Sequence, residues 1–346
     1  MMKILMIGLG SIGQRHLRNI RRILGNDVEI IAFRERGLPR TFSDDMKIRE
    51  NVTLEEEFSI TSFANLDEAL ATKPNVAFIT NITAKHIECA TKAAKAGCDL
   101  FLEKPLASNL EGVQELKQIV DSKGLIAFMG FQNRYHPGLV QLKKDLDENI
   151  FGNIVSVIVE IGERLTTMHT YENYAETYMA RSDMGGGVVL NQQIHEIDYT
   201  SWLFGYPENV YSMGGTASKL EIDVEDNSSS IYHIKNGGRN FPLYIHSNFF
   251  QFPPTRRCKV IGDKCVAEID LIKSQYYRTE NDKIFTIQYD NFQRNDMFIQ
   301  ELNDFFSSVN NRKQPKITLD EGIATLKIAL ATKEAMKTNS LIKIII

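Results

Sequence analysis

Lys3-Ile4-Leu5-Met6-Ile7-Gly8-Leu9-Gly10-Ser11-Ile12-Gly13-Gln14-Arg15-His16 is the stretch on which the reading of the fold turns. Lys3 to Ile7 reads as a buried strand that stops at glycine, and from Gln14 to Leu24 apolar residues recur at Leu17, Ile20, Ile23 and Leu24, the period of a helix. The order strand, glycine turn, helix gives each glycine a task. Gly8 permits the tight turn, Gly10 lets the backbone approach a pyrophosphate, and Gly13 lets the helix pack close to the strand. The first helical residues, Ser11 and Ile12, then present backbone N–H groups to the phosphates. A second strand, Val28 to Phe33, ends beside Glu35, 22 residues past Gly13, where a carboxylate binds ribose hydroxyls. Arg34-Glu35-Arg36 carries two signals, because Glu35 favours the free hydroxyls of NAD while Arg34 and Arg36 suit the 2'-phosphate of NADP. We read the cofactor as NAD, with NADP as the alternative.

The same texture runs on from this motif. A helix from Leu66 to Ala71, a strand from Val76 to Thr80, a helix from His86 to Ala96, a strand from Asp99 to Leu102, a helix from Asn109 to Lys123 and a strand from Ile126 to Gly130 alternate in order. Residues 37 to 59 are charged and weakly patterned, and are read as irregular or partly helical. Five strands are placed towards an expected sheet of six, and the fold class is α/β, a doubly wound parallel sheet over residues 1–130. Past Gly152 the strands lengthen and crowd: Ile154 to Gly162, Val210 to Gly214, Ser228 to Lys235, Leu243 to Phe250, Cys258 to Ile261, Val266 to Asp270 and Lys283 to Tyr289. Turn signals such as Asn236-Gly237-Gly238 separate them, so residues 131–346 are expected to form an α+β domain with an open, largely antiparallel sheet. Helices from Asp296 to Asn310 and from Leu319 to Lys337 close the chain, the second opened by Thr318 with Glu321 three residues on.

Composition narrows the function classes. With 346 residues, 43% hydrophobic, and 40 Lys+Arg against 44 Asp+Glu for a net charge of −4, the chain suits two buried cores and lacks the basic excess of a nucleic-acid binder. No stretch reaches the roughly 20 apolar residues of a membrane span. Cys89, Cys98, Cys258 and Cys265 form no CxxC pair, and no His or Cys spacing implies a metal site. The expectation is a cytoplasmic enzyme with no metal, no membrane and no nucleic-acid partner.

In an open parallel sheet the residues just past the strands face the cofactor crevice. Thr80-Asn81 and Glu103-Lys104-Pro105 stand there, and a lysine fixed by a neighbouring glutamate and proline suits the polarisation of a substrate hydroxyl. Further on, Asn191, His195 and Asp198 are four and three residues apart, which places them on one helical face.

Three ordered motifs carry a resemblance. Val76-Ala77-Phe78-Ile79-Thr80-Asn81 leading to His86, then Phe101-Leu102-Glu103-Lys104-Pro105-Leu106-Ala107, then Gly185-Gly186-Gly187-Val188-Val189-Leu190-Asn191-Gln192-Gln193-Ile194-His195-Glu196-Ile197-Asp198, resemble the Gfo/Idh/MocA (glucose-fructose oxidoreductase / inositol dehydrogenase) family over nearly the whole chain. The resemblance implies a Rossmann domain followed by a substrate domain with an open sheet that often mediates oligomers, and reversible hydride transfer at a carbohydrate carbon. It makes Lys104 the catalytic lysine, His195 its acid/base partner and the Lys104-Pro105 bond cis. It also places Thr80, Asn81, His86, Glu103, Lys104 and Gln132 by the cofactor, and Arg134, Tyr135, Arg181, Asn191, Lys104 and His195 by the substrate. One position departs: Asn191 stands where many members carry aspartate, and an amide hydrogen-bonds a sugar hydroxyl without taking its proton. Gln193, where glycine is common, suggests a differently shaped pocket.

The expected activity is NAD(P)-dependent hydride transfer at a secondary alcohol or ketone of a sugar bound between the domains, the flavour of residues 192–198 pointing to a nucleotide-linked or amino sugar of surface-carbohydrate pathways. Alternatives within the class are an inositol dehydrogenase and a dihydrodiol/aldose-type reductase. From another class comes a non-catalytic dinucleotide-binding regulator, favoured by Asn191 and opposed by Lys104 and His195. The expected assembly is a homodimer or homotetramer.

Overall fold

A computed structural model describes residues 1–346 except 36, 38, 39, 44–46, 50, 51 and 282. The chain forms two compact units, Met1–Phe131 with Phe298–Gly322, and Gln132–Met297 with Ile323–Ile346. In the first, six parallel strands lie in the order Thr61–Phe63, Val28–Phe33, Met2–Ile7, Val76–Ile79, Asp99–Glu103, Ala127–Gly130. The chain moves outward from Met2–Ile7 on one side and restarts beside it with Val76–Ile79 on the other. That reversal is the topological switch point, and it puts Gly8 and Thr80 at adjacent strand ends.

Thr61–Phe63 is the strand that the sequence pattern does not locate, since three residues give no periodicity. The helix expected from Asn109 starts at Val113, because Gly112 before it takes φ +72° and breaks the chain direction. The first helix runs Ser11–Leu24, ending at Gly25 in a positive-φ conformation with Arg21 and Arg22 in its last turn, where they complement the helix dipole.

The division at residue 130 requires a correction. Residues 298–322 belong to the first unit, and the reason is aromatic packing. Phe305 meets Phe78, Phe101 and Phe128 edge-on at centroid distances of 5.5, 5.5 and 5.9 Å, while Phe101 stacks between the other two at 4.9 and 5.7 Å. The three strand phenylalanines point to one face of the sheet, and the helix Arg294–Asn311 covers them. Backbone bonding fixes the return, with Met129 N–H donating to the Ile317 carbonyl.

The second unit is built on nine strands in the order Lys283–Gln288, Gln275–Glu280, Cys265–Asp270, Thr255–Gly262, Ile154–Gly162, Arg239–Asn248, Asn227–Asn236, Pro207–Gly215, Ile342–Lys343. All neighbours are antiparallel except Ile154–Gly162 with Arg239–Asn248. Alternation is clear in Cys265–Asp270, whose residues are buried and half-buried in turn. Gln275–Glu280 and Ile342–Lys343 are additional to the expected strands, and the helix Pro137–Asp147 is additional to the expected helices. That helix does carry a start signal: His136 caps it by accepting from Gly138 N–H at 3.1 Å, with proline at the first helical position. The opposite face of this sheet leaves an apolar row open, Ile158, Tyr244 and Ile231, at 44, 39 and 45% exposure on three neighbouring strands.

All four cysteines are buried and unbridged. No helix among the described residues is long and apolar enough to cross a membrane. Phe305→Ala should empty the centre of the first unit's aromatic cluster and cost about 3–5 kcal/mol; the midpoint of urea unfolding measures it.

Candidate functional site

The site in the first unit begins with a close approach of backbone to backbone. Gly8 has φ +93°, and a Cβ there would lie 2.6 Å from Asn81 Cα; a Cβ on Gly13 would lie 2.3 Å from the Gly8 carbonyl oxygen. Thr80 explains part of that crowding, for its hydroxyl donates to the Gly8 carbonyl at 2.6 Å and tethers one strand end to the other. Gly10 differs from both. The space where its Cβ would sit is open, and the helix behind it begins with neither a side-chain cap nor an acidic residue in its first turn. Backbone N–H groups with a positive helix end and room in front of them suit a pyrophosphate.

At the neighbouring strand ends Glu35 pairs with Lys85, and Arg34 with Glu55. Glu55 also accepts from Ser62 at 2.5 Å, so a carboxylate sits against the guanidinium that would otherwise favour a 2'-phosphate. Arg36 lies outside the described residues.

The turn carrying Lys104 is held from three sides. Glu103, buried at the end of its strand, accepts from Lys104 N–H at 3.0 Å through Oε2, and its Oε1 lies 2.7 Å from His16 Nε2. The Lys104-Pro105 peptide is cis. His86, buried, places Nδ1 2.9 Å from the Pro105 carbonyl and Nε2 3.0 Å from the Asn81 carbonyl. Burial lowers the His86 pKa, and the two carbonyls pull the other way without overcoming it. Both ring nitrogens are thus engaged by protein. Glu103 and His86, expected beside a cofactor, act by fixing the loops around Lys104, which is itself half-buried.

The second unit holds the other half of the expected residues, and Gln132 falls here with them in the 3-10 turn Gln132–Tyr135. The segment Val189–Gln193 is a π turn and Ile194–Phe204 an α-helix. The α-helical pitch expected through Asn191, His195 and Asp198 is widened locally, since Asn191 lies in the i→i+5 turn that leads into the α-helix carrying His195 and Asp198. Such turns recur at functional sites. Asn191 and His195 are buried, at 8 and 5% exposure.

Asp198 is gripped by Arg134 through two bonds, Nε to Oδ2 at 2.9 Å and Nη2 to Oδ1 at 2.7 Å, both side chains buried, with the guanidinium 6.0 Å from the Trp202 ring. Two nitrogens of the Arg134 fork, expected beside the substrate, are thus engaged by Asp198. Next to it Glu196, fully buried, accepts from Arg256 Nε at 2.7 Å. Burial lowers the Arg256 pKa, but the Glu196 charge outweighs this and the net shift is upward.

Gln193 also differs from expectation. It is turned into the sheet, donating to Tyr232 Oη at 2.9 Å and Ser230 Oγ at 3.1 Å and accepting from Ser247 Oγ at 2.8 Å. An amide satisfied on both ends anchors the helix to the sheet. Arg181 is exposed and paired with exposed Asp183, a contact of small energy. Tyr135 is half-buried.

Comparisons with known proteins bear on both units. Residues 2–131 match the oxidoreductase family model with an NAD-binding Rossmann fold, and residues 139–268 match the GFO/IDH/MocA C-terminal domain. The chain belongs to the Gfo/Idh/MocA family. Its relatives include a myo-inositol 2-dehydrogenase of Thermotoga maritima, 23% identical with 99% of this chain and 98% of that protein covered. A D-xylose dehydrogenase of Paenarthrobacter nicotinovorans is 26% identical over 65% of this chain and 63% of its own length. Among solved structures, the WlbA dehydrogenase from Bordetella pertussis in complex with NADH and UDP-GlcNAcA superposes with TM-score 0.80 at 18% identity, covering 100% of this chain and 99% of that one. As a Gfo/Idh/MocA oxidoreductase, the protein is an NAD-dependent dehydrogenase of sugars or polyols, which sets aside the regulator reading.

Two outcomes follow. Gly13→Ala should weaken NADH binding about tenfold or more, roughly 1.4 kcal/mol, by fluorescence titration. Arg134→Met should leave the Asp198 charge buried without its fork and cost about 3–5 kcal/mol of stability by denaturant unfolding.

Proposed function

We propose that this enzyme oxidises a secondary alcohol on a nucleotide-linked or amino sugar, or reduces the matching ketone, and that Lys104 and His195 are its reactive side chains. The observation that carries the reading is the placement of Lys104 on a turn fixed by Glu103, His86 and Pro105 at the C-terminal edge of the Rossmann sheet. Residues 1–130, with the segment 298–322 packed on their sheet, serve the cofactor, and the rest of residues 131–346 the substrate and subunit contacts.

Gly8, Gly10, Ser11, Ile12, Gly13, Thr80 and Asn81 hold the dinucleotide, and Glu35 meets its ribose hydroxyls. A bound nicotinamide supplies reversible hydride acceptance at carbon. Lys104, a compact charge on a held turn, stabilises the alkoxide as the hydroxyl loses its proton. His195 takes that proton. Asn191 orients a hydroxyl through its amide, with no capacity to act as base. Arg181 and Tyr135 serve the sugar's other groups.

The likeness to WlbA, solved with UDP-GlcNAcA, supports the nucleotide-sugar class. Inositol is the second reading, favoured by the Thermotoga relative that matches along nearly the full chain. The open row of Ile158, Tyr244 and Ile231 supports pairing of sheets in a homodimer or homotetramer.

The assay is nicotinamide absorbance with a panel of nucleotide sugars, free sugars and inositols. Turnover should be confined to one class and fall by about 10²–10⁴-fold in Lys104→Ala and in His195→Ala, with NADH affinity kept. Turnover of inositols alone selects the second reading. In the same assay Glu35→Ser should raise the use of NADP relative to NAD; an unchanged ratio would remove Glu35 from cofactor choice.

A further inference from the structure

Beneath the Lys104 turn, within the first unit, three ionisable side chains meet. His16, Glu103 and Glu301 each bring a nitrogen or oxygen atom within 4.8 Å of those of the other two, and their residues are 0, 4 and 0% exposed. Their surroundings are aromatic. The His16 ring lies 4.8 Å from Phe101, 5.9 Å from Phe298 and 6.0 Å from Phe78. Glu103 spends both oxygens, one on His16 and one on Lys104 N–H. Neither oxygen of Glu301 has a hydrogen-bond partner among the described residues.

Other charged groups on the same elements are engaged elsewhere. Arg15 lies 4.9 Å over the Phe298 ring, Arg18 and Arg21 donate to the Phe42 and Phe58 carbonyls, Asp99 pairs with Arg312, and Asp304 pairs with Lys316. Two carboxylates this close in apolar surroundings do not both ionise without a large cost. Burial, and then the Glu103 charge, push the Glu301 carboxyl well above the usual range.

We propose that His16, Glu103 and Glu301 form one buried, charge-coupled cluster in which Glu301 keeps its proton, so that Glu103 holds the backbone of Lys104 with no second negative charge beside it. This rests on the reading of Lys104 as a reactive lysine. Glu301 is a positioning residue that acts through Glu103. A second negative charge at Glu301 repels Glu103 and competes for His16, and the Lys104 turn loses its acceptor. The sign for stability follows from the same proton. A carboxyl whose folded pKa is raised favours the native state below its unfolded value, about 4.3, and that contribution is lost as pH rises toward the folded value.

Three measurements on the full-length protein test it. Difference infrared spectra at neutral pH should show a protonated-carboxyl C=O band in the wild type that Glu301→Gln removes. Steady-state kinetics should show kcat down ~10–100-fold in Glu301→Ala with NADH affinity retained, and recovery in Glu301→Gln, whose amide reproduces the protonated acid. Urea unfolding should show the wild type losing stability relative to Glu301→Gln as pH rises above the carboxylate range. An infrared band that survives in Glu301→Gln, a Glu301→Gln variant as slow as Glu301→Ala, or one equivalent of divalent metal bound by the wild type and lost in Glu301→Gln would each overturn the proposal. Absence of turnover on every sugar overturns the functional reading instead, and the infrared band and unfolding series still decide the proton.

Discussion

Everything at the nucleotide end depends on one steric fact: there is no room for a side chain between the first helix and the strand end that precedes it. The Gly13 Cβ position lies 2.3 Å from a backbone oxygen, and the Gly8 position lies 2.6 Å from the neighbouring loop. Because the helix can come this close, its N-terminus and the space beside Gly10 lie together, and Thr80 can reach across to lock the two strands at their ends. The chemistry of the site is therefore prepared by main chain, with side chains adjusting it.

The second unit solves a different problem. Its helix carries Asn191, Gln193, His195, Glu196 and Asp198, a heavy polar load for a buried element, and most of that load is tied down. Asp198 with Arg134, Glu196 with Arg256, and Gln193 with three sheet side chains fix the helix in rotation and height. Buried ion pairs add little net stability against apolar packing, but breaking one is costly, so they penalise every other placement of the helix. Asn191 and His195 inherit their geometry from these neighbours.

How much of this was legible in the sequence follows from what each residue interacts with. The Rossmann strands, the glycine turn and the Lys104 turn could be read because their signals are local: runs of apolar residues, glycine spacing, a lysine after a strand. Gln193 could not, because its role is set by Ser230, Tyr232 and Ser247, residues far along the chain that only the folded sheet brings to it. Glu301 gave no signal for the same reason; on its own helix it is one acidic residue among several, and only the return of that helix to the first unit makes it a buried partner of Glu103. The π turn at Val189–Gln193 also escaped, since side-chain periodicity assumes the α-helical pitch it breaks. The helix at Pro137–Asp147 had a readable start in His136 and Pro137, masked by the irregular sequence around it.

The return of Phe298–Gly322 has a consequence for how the protein is made. The strands of the parallel sheet are synthesised before the second unit, yet one face of the sheet, with Phe78, Phe101 and Phe128, has its cover only when Phe305 has been added. During translation about 170 residues, those of the second unit, emerge between the sheet and its lid, and domains tend to fold as they appear. The nascent sheet therefore passes through a stage with an aromatic face bare, and its completion waits on a segment that arrives after the second unit's long sheet. Folding of the nucleotide end is in this sense timed by the far end of the chain.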